Sequence, residues 1–453
     1  MLALVTGKQF TDNAFWSLND RRKVFHAFPN GTAPLTSLLS LVDSEETDNP
    51  EFGWFEKRYV PIATSIESTG TKAFTDAAGT DNLTADATLT AGTLYRVKVT
   101  STADLKPQHV LWFADLASTN NTVIKQLKAV VDSIISSTVV KIRVLETITP
   151  VDNDTAENDA KIVRVIGTAN EEGASSGNGR IQVPCNPSNY TQIFRTPFGF
   201  SRTALKSPTV FDKSGVYKET AKDSALDHMT EIEMAFLFGP KTLSYVTNAD
   251  GESVPIRTTG GMVHFLKAWE AADSVYRGGT GAPAITSIDD LDKRILEFNG
   301  AATEVQWKSL LERAFRRTNN KASEKLLLAG SGMISVINDF FEENKITVNK
   351  NMKSEDTYGM NISSVETVHG TLLFKSHPLF ADDATLRYSG FILDVNELRY
   401  RALNDSDTTL LRNRQANDAD RRKDEWLTEA GFECRYPEAH MYIQKMTSIT
   451  PTP

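Results

Sequence analysis

Cysteine is almost missing from this chain: Cys185 and Cys434 are the only two among 453 residues. So few, so far apart, cannot make a disulfide framework, and neither has a CxxC partner or a nearby histidine cluster that would suggest a metal site. The seven histidines, His26, His109, His228, His264, His369, His377 and His440, are scattered, with no HExxH or HxH arrangement. Zinc hydrolase chemistry therefore has no support. Long apolar runs are missing too: none approaches the ~20 residues needed to cross a bilayer. The opening MLALVTGKQFTDNAFW has no basic n-region and no small-residue cleavage site, so it does not read as a signal peptide. The expected setting is a reducing cytoplasm, without a membrane partner.

An excess of cations is also lacking. Lys and Arg number 49 against 58 Asp and Glu, a formal net charge of −9. Proteins that grip phosphate backbones concentrate Lys and Arg, so contact with DNA is expected to be weak and non-specific. The basic runs Arg21-Arg22-Lys23, Arg316-Arg317 and Arg421-Arg422-Lys423 are short and flanked by acids or polar residues, as on solvated helix faces or in subunit ion pairs.

Catalytic signatures are equally thin. Gly330-Ser331-Gly332 lacks the lysine of a P-loop and the glycine spacing of a dinucleotide fingerprint, and reads as a tight turn beneath a helix. Ser201, in Gly199-Phe200-Ser201-Arg202, lacks the second glycine of a nucleophile elbow. The acidic pairs Asp289-Asp290, Glu342-Glu343 and Asp382-Asp383 have the character of helix ends and surfaces. No catalytic, cofactor-binding or metal-ligating residue is assigned, and an enzyme is not expected.

What is present is an ordinary folding composition, 40% hydrophobic and 24% charged, long enough for two or three domains. Residues 1–50 read as an arm broken by Pro29, Gly31 and Pro34, in which Leu35, Leu38, Leu39 and Val42 form a helical stripe that needs a surface to cover. A strand carrying Phe52, Trp54 and Phe55 follows, running to Ile62. From about 71 to 176 the chain alternates with period two, at Leu94–Val99, Val110–Phe113, Val139–Val144 and Lys161–Ile166. This predicts a small antiparallel β domain, placed as an insertion, with Val123–Ile135 open to helix or strand. Extended runs resume at Arg180–Val183 and Thr191–Thr196, with a turn at Cys185–Asn189 between them.

A long helix is predicted over Val216–Phe238, with Ala225, Met229, Ile232 and Phe236 on one face, His228 packed beside it, and Gly239-Pro240 as its stop. Mixed structure follows. A helix is expected from Ser287 through Leu291 and Ile295 to Asn299-Gly300, and another over Glu304–Arg316. A strand is expected at Lys325–Ala329 and a helix at Met333–Glu343. Ile362–Val368 and Leu372–Lys375 suggest a hairpin, and Phe391–Val395 and Met441–Ile443 two more strands. His377-Pro378 reads as a loop closer.

The order of these elements resembles the major capsid proteins of tailed bacteriophages, with their Hong Kong ninety-seven type fold. The likeness is carried by Pro34–Tyr59 and by Asn189–Phe194 with Phe200–Thr203. It is carried also by Tyr358–Ile362 leading to Thr367–Gly370, and by Glu429–Glu433. It covers most of the chain outside 71–175. The resemblance implies an α+β phage capsid fold with an N-terminal arm at 1–50 and an extended loop with flanking strands at 51–70 and 177–210. A β domain is inserted at 71–176. The peripheral domain with its spine helix would occupy 211–260, the axial α/β domain mainly 261–390, and C-terminal strands returning to the core 391–453.

The function it implies is self-assembly, as pentamers and hexamers, into an icosahedral shell around the double-stranded DNA of a tailed phage. Assembly in the host cytoplasm, with scaffold and portal proteins as partners, is implied with it; for the insertion the readings are a brace between adjacent capsomers, or a binding module for a decoration protein or a host-surface glycan. Because the arm begins almost at Met1, a cleaved scaffolding segment is expected to be a separate protein or to lie outside this sequence. Leu38, Phe52, Trp54, Phe55, Ile193 and Phe194 are the candidates for intersubunit contact, ordinary strand core being the alternative. A tail-tube protein is a competing class that would be richer in β structure than residues 216–345.

Overall fold

A computed structural model of the chain describes residues 4–5, 44–57, 62–67, 74–79, 83, 86–117, 124–152, 161–173, 184–206, 216–271, 276, 285, 291–316, 324–343 and 363–450. The chain divides into two compact units, one formed by Lys57–Val183 and the other by Met1–Glu56 with Pro184–Pro453.

In the first unit the alternating runs pair into an antiparallel sheet of seven strands. Their spatial order is Ala63–Ser65, Ile162–Thr168, His109–Ala117, Ile124–Ile134, Val139–Val144, Leu94–Lys98, Phe74–Asp76. Alternate side chains turn inward, among them Val97, Leu111, Phe113, Leu127, Ala129, Val131, Val140 and Ile142, all buried in one core. The segment left open between helix and strand is a strand, paired with Val139–Val144 on one side and His109–Ala117 on the other. A ribbon of Asp86–Leu89 with Ile148–Asp152 adds Leu89 and Ile148 to the same core. The unit is wider than 71–176, because Ala63–Ser65 completes its sheet edge.

The second unit contains two six-stranded sheets. One has the order Ile295–Thr303, Met441–Thr450, Gly390–Leu393, Glu324–Ala329, Thr371–Ser376, Ser363–Glu366. It is buried on both faces, which explains the unbroken apolar runs of its central strands. Leu328, Phe391, Leu393 and Tyr442 meet Phe236 and Phe380 on one side. On the other, Leu327, Ile392, Met441 and Ile443 meet Trp307, Leu310, Met333 and Ile337 of the helices Glu304–Arg316 and Ser331–Glu343. Gly330 makes the tight turn ahead of the second helix; a Cβ there would fall 2.4 Å from the Arg387 carbonyl oxygen.

The expected helix through Leu291 and Ile295 is not formed over its described part. Ile295–Thr303 is a strand, parallel to Met441–Thr450, with Leu296 and Ala302 turned inward. Its register shifts at Asn299 (φ 51°) and Gly300 (φ 141°), the dipeptide that had suggested a helix stop. Ser287 and Asp290 lie outside the described residues. The strand expected over Phe391–Val395 ends at Leu393, and Val395–Glu397 is a 3-10 turn.

The other sheet runs Leu4–Val5, Gln192–Ser201, Arg421–Cys434, Leu398–Leu403, Ser44–Thr47, with Thr409–Leu411 also paired to Arg421–Cys434. Both described pieces of the arm are therefore strands of this chain's own sheet, each parallel to its neighbour. The stripe from Leu35 to Val42, and Arg180–Val183, lie outside the described residues.

The helix Val216–Phe238 has the predicted bounds. Its buried side runs through Ser224, His228, Ile232 and Phe236, while Met229 is 43% exposed. The face is rotated from the predicted one because two polar side chains are accommodated against the sheet.

Candidate assembly site

The polypeptide leaves the second unit along Glu51–Gly53 and returns along Ser188–Tyr190, paired antiparallel with Phe52 opposite Asn189. Beyond them the Glu56 and Cys185 amides and carbonyls exchange hydrogen bonds of 2.9 and 2.8 Å. Asn189 is fully buried at this joint. Its Nδ2 donates to Thr259 Oγ1 (3.1 Å), the Gly260 carbonyl (2.9 Å) and the Phe432 carbonyl (2.6 Å). Its Oδ1 accepts from the amides of Gly260 (2.7 Å) and Tyr190 (2.9 Å). One side chain thus satisfies buried backbone groups on three segments. Nearby, Lys241 Nζ donates to the Ser188 carbonyl (2.7 Å) and hydroxyl (2.9 Å) and lies 5.2 Å from the Tyr190 ring centre.

Carboxylates hold the same region together. Buried Glu56 accepts from Trp54 Nε1 (2.7 Å) and the Tyr436 amide (3.0 Å) through one oxygen. Glu433, also buried, accepts from Arg401 Nε (2.5 Å) and Arg435 Nε (2.6 Å). Arg401 also pairs with Glu45 in the arm strand and lies 6.0 Å from the Phe52 ring centre. A buried carboxylate is tolerated only with such partners. Phe52 itself packs where Gly431 has no side chain; a Cβ there would come within 2.4 Å of the ring.

Histidines lock the helices to the sheets. His228 bonds Thr196 (2.8 Å) and Thr428 (2.7 Å) through its two ring nitrogens, and burial holds its pKa below the usual value. His377 bonds Glu233 of the long helix at 3.0 Å. His440 accepts the Asp394 amide at Nδ1 (3.1 Å) and donates from Nε2 to the Arg435 carbonyl (3.2 Å). Beside it, buried Lys325 donates to the Ala439 carbonyl at 2.5 Å and faces Asp394 at 3.7 Å; burial lowers its pKa to about 8.

Among the contact candidates, Phe52, Trp54 and Phe194 are buried in the core of their own unit with Phe236, Phe265 and Phe432. Their burial favours the alternative reading, ordinary strand core: truncating any of them opens a cavity inside the subunit. Phe55 and Ile193, which alternate with buried neighbours, are 75% and 54% exposed. Leu38 lies outside the described residues. Sequence reasoning passed over Asn189, Glu433 and the ribbon at 242–258. The ribbon does have a sequence signal, since Thr242–Thr247 and Ser253–Thr258 flank a turn of Asn, Asp and Gly.

These joints use buried polar groups to tie strand, helix and arm together, which defines a structural subunit of mixed α+β fold. The chain belongs to the SU10 major capsid protein family, whose model matches residues 6–447. It is 26% identical to the major capsid protein of Pseudomonas phage PaMx41 over 369 residues, which is 79% of this chain and 72% of that one. Among solved structures, a protein of Mycobacterium phage Bobi is similar with a TM-score of 0.40 at 7% identity, covering 96% of both chains. The cyanophage A-1(L) capsid is similar with a TM-score of 0.40 at 11% identity, covering 62% of this chain and 85% of that one. The chain is accordingly a phage virion component that assembles with copies of itself, in a family of structural proteins and not of enzymes.

Proposed function

We propose that copies of this chain close, as pentamers and hexamers, into an icosahedral shell around double-stranded DNA, assembling in the host cytoplasm with scaffold and portal proteins. The net charge of −9 suits a wall that touches its genome weakly. The carrying observation is the alternation at the joint. Trp54 and Glu56 are held inside while Phe55, between them, is 75% exposed, and Ile193 is exposed beside buried Phe194. Rigidly presented apolar side chains are what an adjoining copy can bury. Electron microscopy of the purified protein is expected to show polyhedral particles; tubes would favour a tail protein. Phe55→Asp with Ile193→Asp should leave a folded subunit that no longer assembles, and undiminished assembly would remove these two residues as anchors.

A second reading concerns Lys57–Val183, for which we propose a bracing role between copies, with a decoration protein as the competing occupant. Its own core makes it a separable module, and Ile134, Ile135, Leu145, Ile162 and Ile166 remain exposed on it. Because Glu56 and Cys185 share one ladder rung, a short linker can replace the module. Shells of the excised chain are expected to be fragile or absent. Intact, robust shells that merely lose a bound protein would favour decoration.

A further inference from the structure

After the long helix the chain forms a two-stranded ribbon, Thr242–Thr247 antiparallel to Ser253–Thr258, which no other described strand joins. The first strand is exposed throughout, and so are the first four residues of the second. Its composition is nevertheless that of a buried strand, with Leu243, Tyr245, Val246, Val254 and Ile256 all in solvent. The register places Val246 opposite Val254 and Ser244 opposite Ile256 on one face. Leu243 opposite Arg257 and Tyr245 opposite Pro255 lie on the other. Both faces thus carry apolar side chains that the described residues leave uncovered, and a two-stranded ribbon alone is marginal in water.

The root and the tip are nonetheless built to hold. Asn189 and Lys241 clamp the root, and Thr258 Oγ1 donates to the Pro240 carbonyl at 2.6 Å. Asn248 Oδ1 accepts the amides of Asp250 (3.0 Å) and Glu252 (2.8 Å), closing the turn. The charge is polarised along the ribbon, with Asp250 and Glu252 at the tip and Lys241 and Arg257 at the root. Two such ribbons laid antiparallel bring each acidic tip to the other's basic root, a self-complementary match. Pro255 removes an amide donor from its strand, which limits open-ended growth by strand addition and favours side-chain burial.

We propose that the ribbon at 242–258 is an intersubunit contact and that its occupant is a second copy of this chain. The inference rests on the shell reading and adds a contact surface separate from Phe55 and Ile193. The test compares wild type with Tyr245→Asp plus Ile256→Asp, one change on each face. Both positions are exposed, so the variant subunit should melt as wild type does while its assembled fraction falls at least about tenfold, as for a contact anchor. Wild-type assembly by a folded variant would overturn the proposal and leave the shell reading standing; absence of particles from wild type would remove both. Should the variant misfold, a photo-crosslinker at position 245 in assembled particles gives the answer. A covalent dimer of this chain is expected, and capture of another protein, or of nothing, would overturn the proposal.

Discussion

Replacing Asn189 with leucine is expected to destabilise the unit formed by Met1–Glu56 and Pro184–Pro453 by about 4 kcal/mol, since each buried polar group left without a partner costs about 1–3 kcal/mol. Leucine has the same number of side-chain heavy atoms in the same branched arrangement and is somewhat larger, so none of the loss would come from a cavity. The Gly260 amide and carbonyl and the Phe432 carbonyl would each lose the side chain that satisfies them. Thr259 Oγ1 would keep the bond it accepts from the Phe432 amide, at 3.2 Å, which limits the damage there. Urea denaturation followed by tryptophan fluorescence reads the change. Hydrogen exchange adds a local signature, because amides at the root of the 242–258 ribbon should open faster than those of the sheet around Phe391. A loss below about 1 kcal/mol would mean that the joint is slack and that the bonds to Asn189 are replaceable by water.

How far such a joint could be read from the sequence depends on the range of the interaction. Glu304–Arg316 and Val216–Phe238 were legible because a helix is written in local periodicity. The doubly buried sheet was half legible. Leu326-Leu327-Leu328 announces a covered strand, but nothing local says that Gly390–Leu393 lies beside it. The strand at Ile295 was misread because Leu291 and Ile295 stand four apart, while the partner that makes the segment a strand, Met441–Thr450, is more than a hundred residues away. The long helix was rotated in the prediction for a related reason. His228 was read as packed beside the apolar face, but only Thr196 and Thr428, which supply hydrogen bonds to the histidine, place it and Ser224 at the centre of the buried side. In the joint, Phe52 and Trp54 were recognisable as important, but core and contact could not be told apart, since a strand aromatic carries the same signal whether it meets its own chain or another. Asn189 stood at the end of an expected turn and in a stretch carrying the family likeness, but nothing marked it as buried. A buried asparagine is defined by its partners, and its partners lie 70 and 243 residues away.

Acidification should weaken the subunit well before its carboxylates titrate, and His440 is the main cause. Its Nδ1 accepts the Asp394 amide, so the ring is neutral with its proton on Nε2. Burial, and then the positive charge of Lys325, push its pKa down to about 3, with Arg294 adding to the effect. An unfolded chain protonates the same imidazole near pH 6.5. Between those values the unfolded state holds the extra proton, so stability is complete above about pH 6.5 and falls by about 1.4 kcal/mol per pH unit below it. From pH 6.5 to pH 4.5 the loss is about 3 kcal/mol, in a window that lies above the ordinary range of aspartate and glutamate. His228, whose pKa burial also lowers, acts with the same sign. The measurement is the denaturant midpoint at several pH values for wild type and for His440→Gln. Glutamine is uncharged throughout, so the variant should start less stable at neutral pH and lose clearly less on acidification. Equal slopes for the two proteins would show that the acid sensitivity lies elsewhere, and that His440 takes up its proton in the folded subunit as readily as in the unfolded chain.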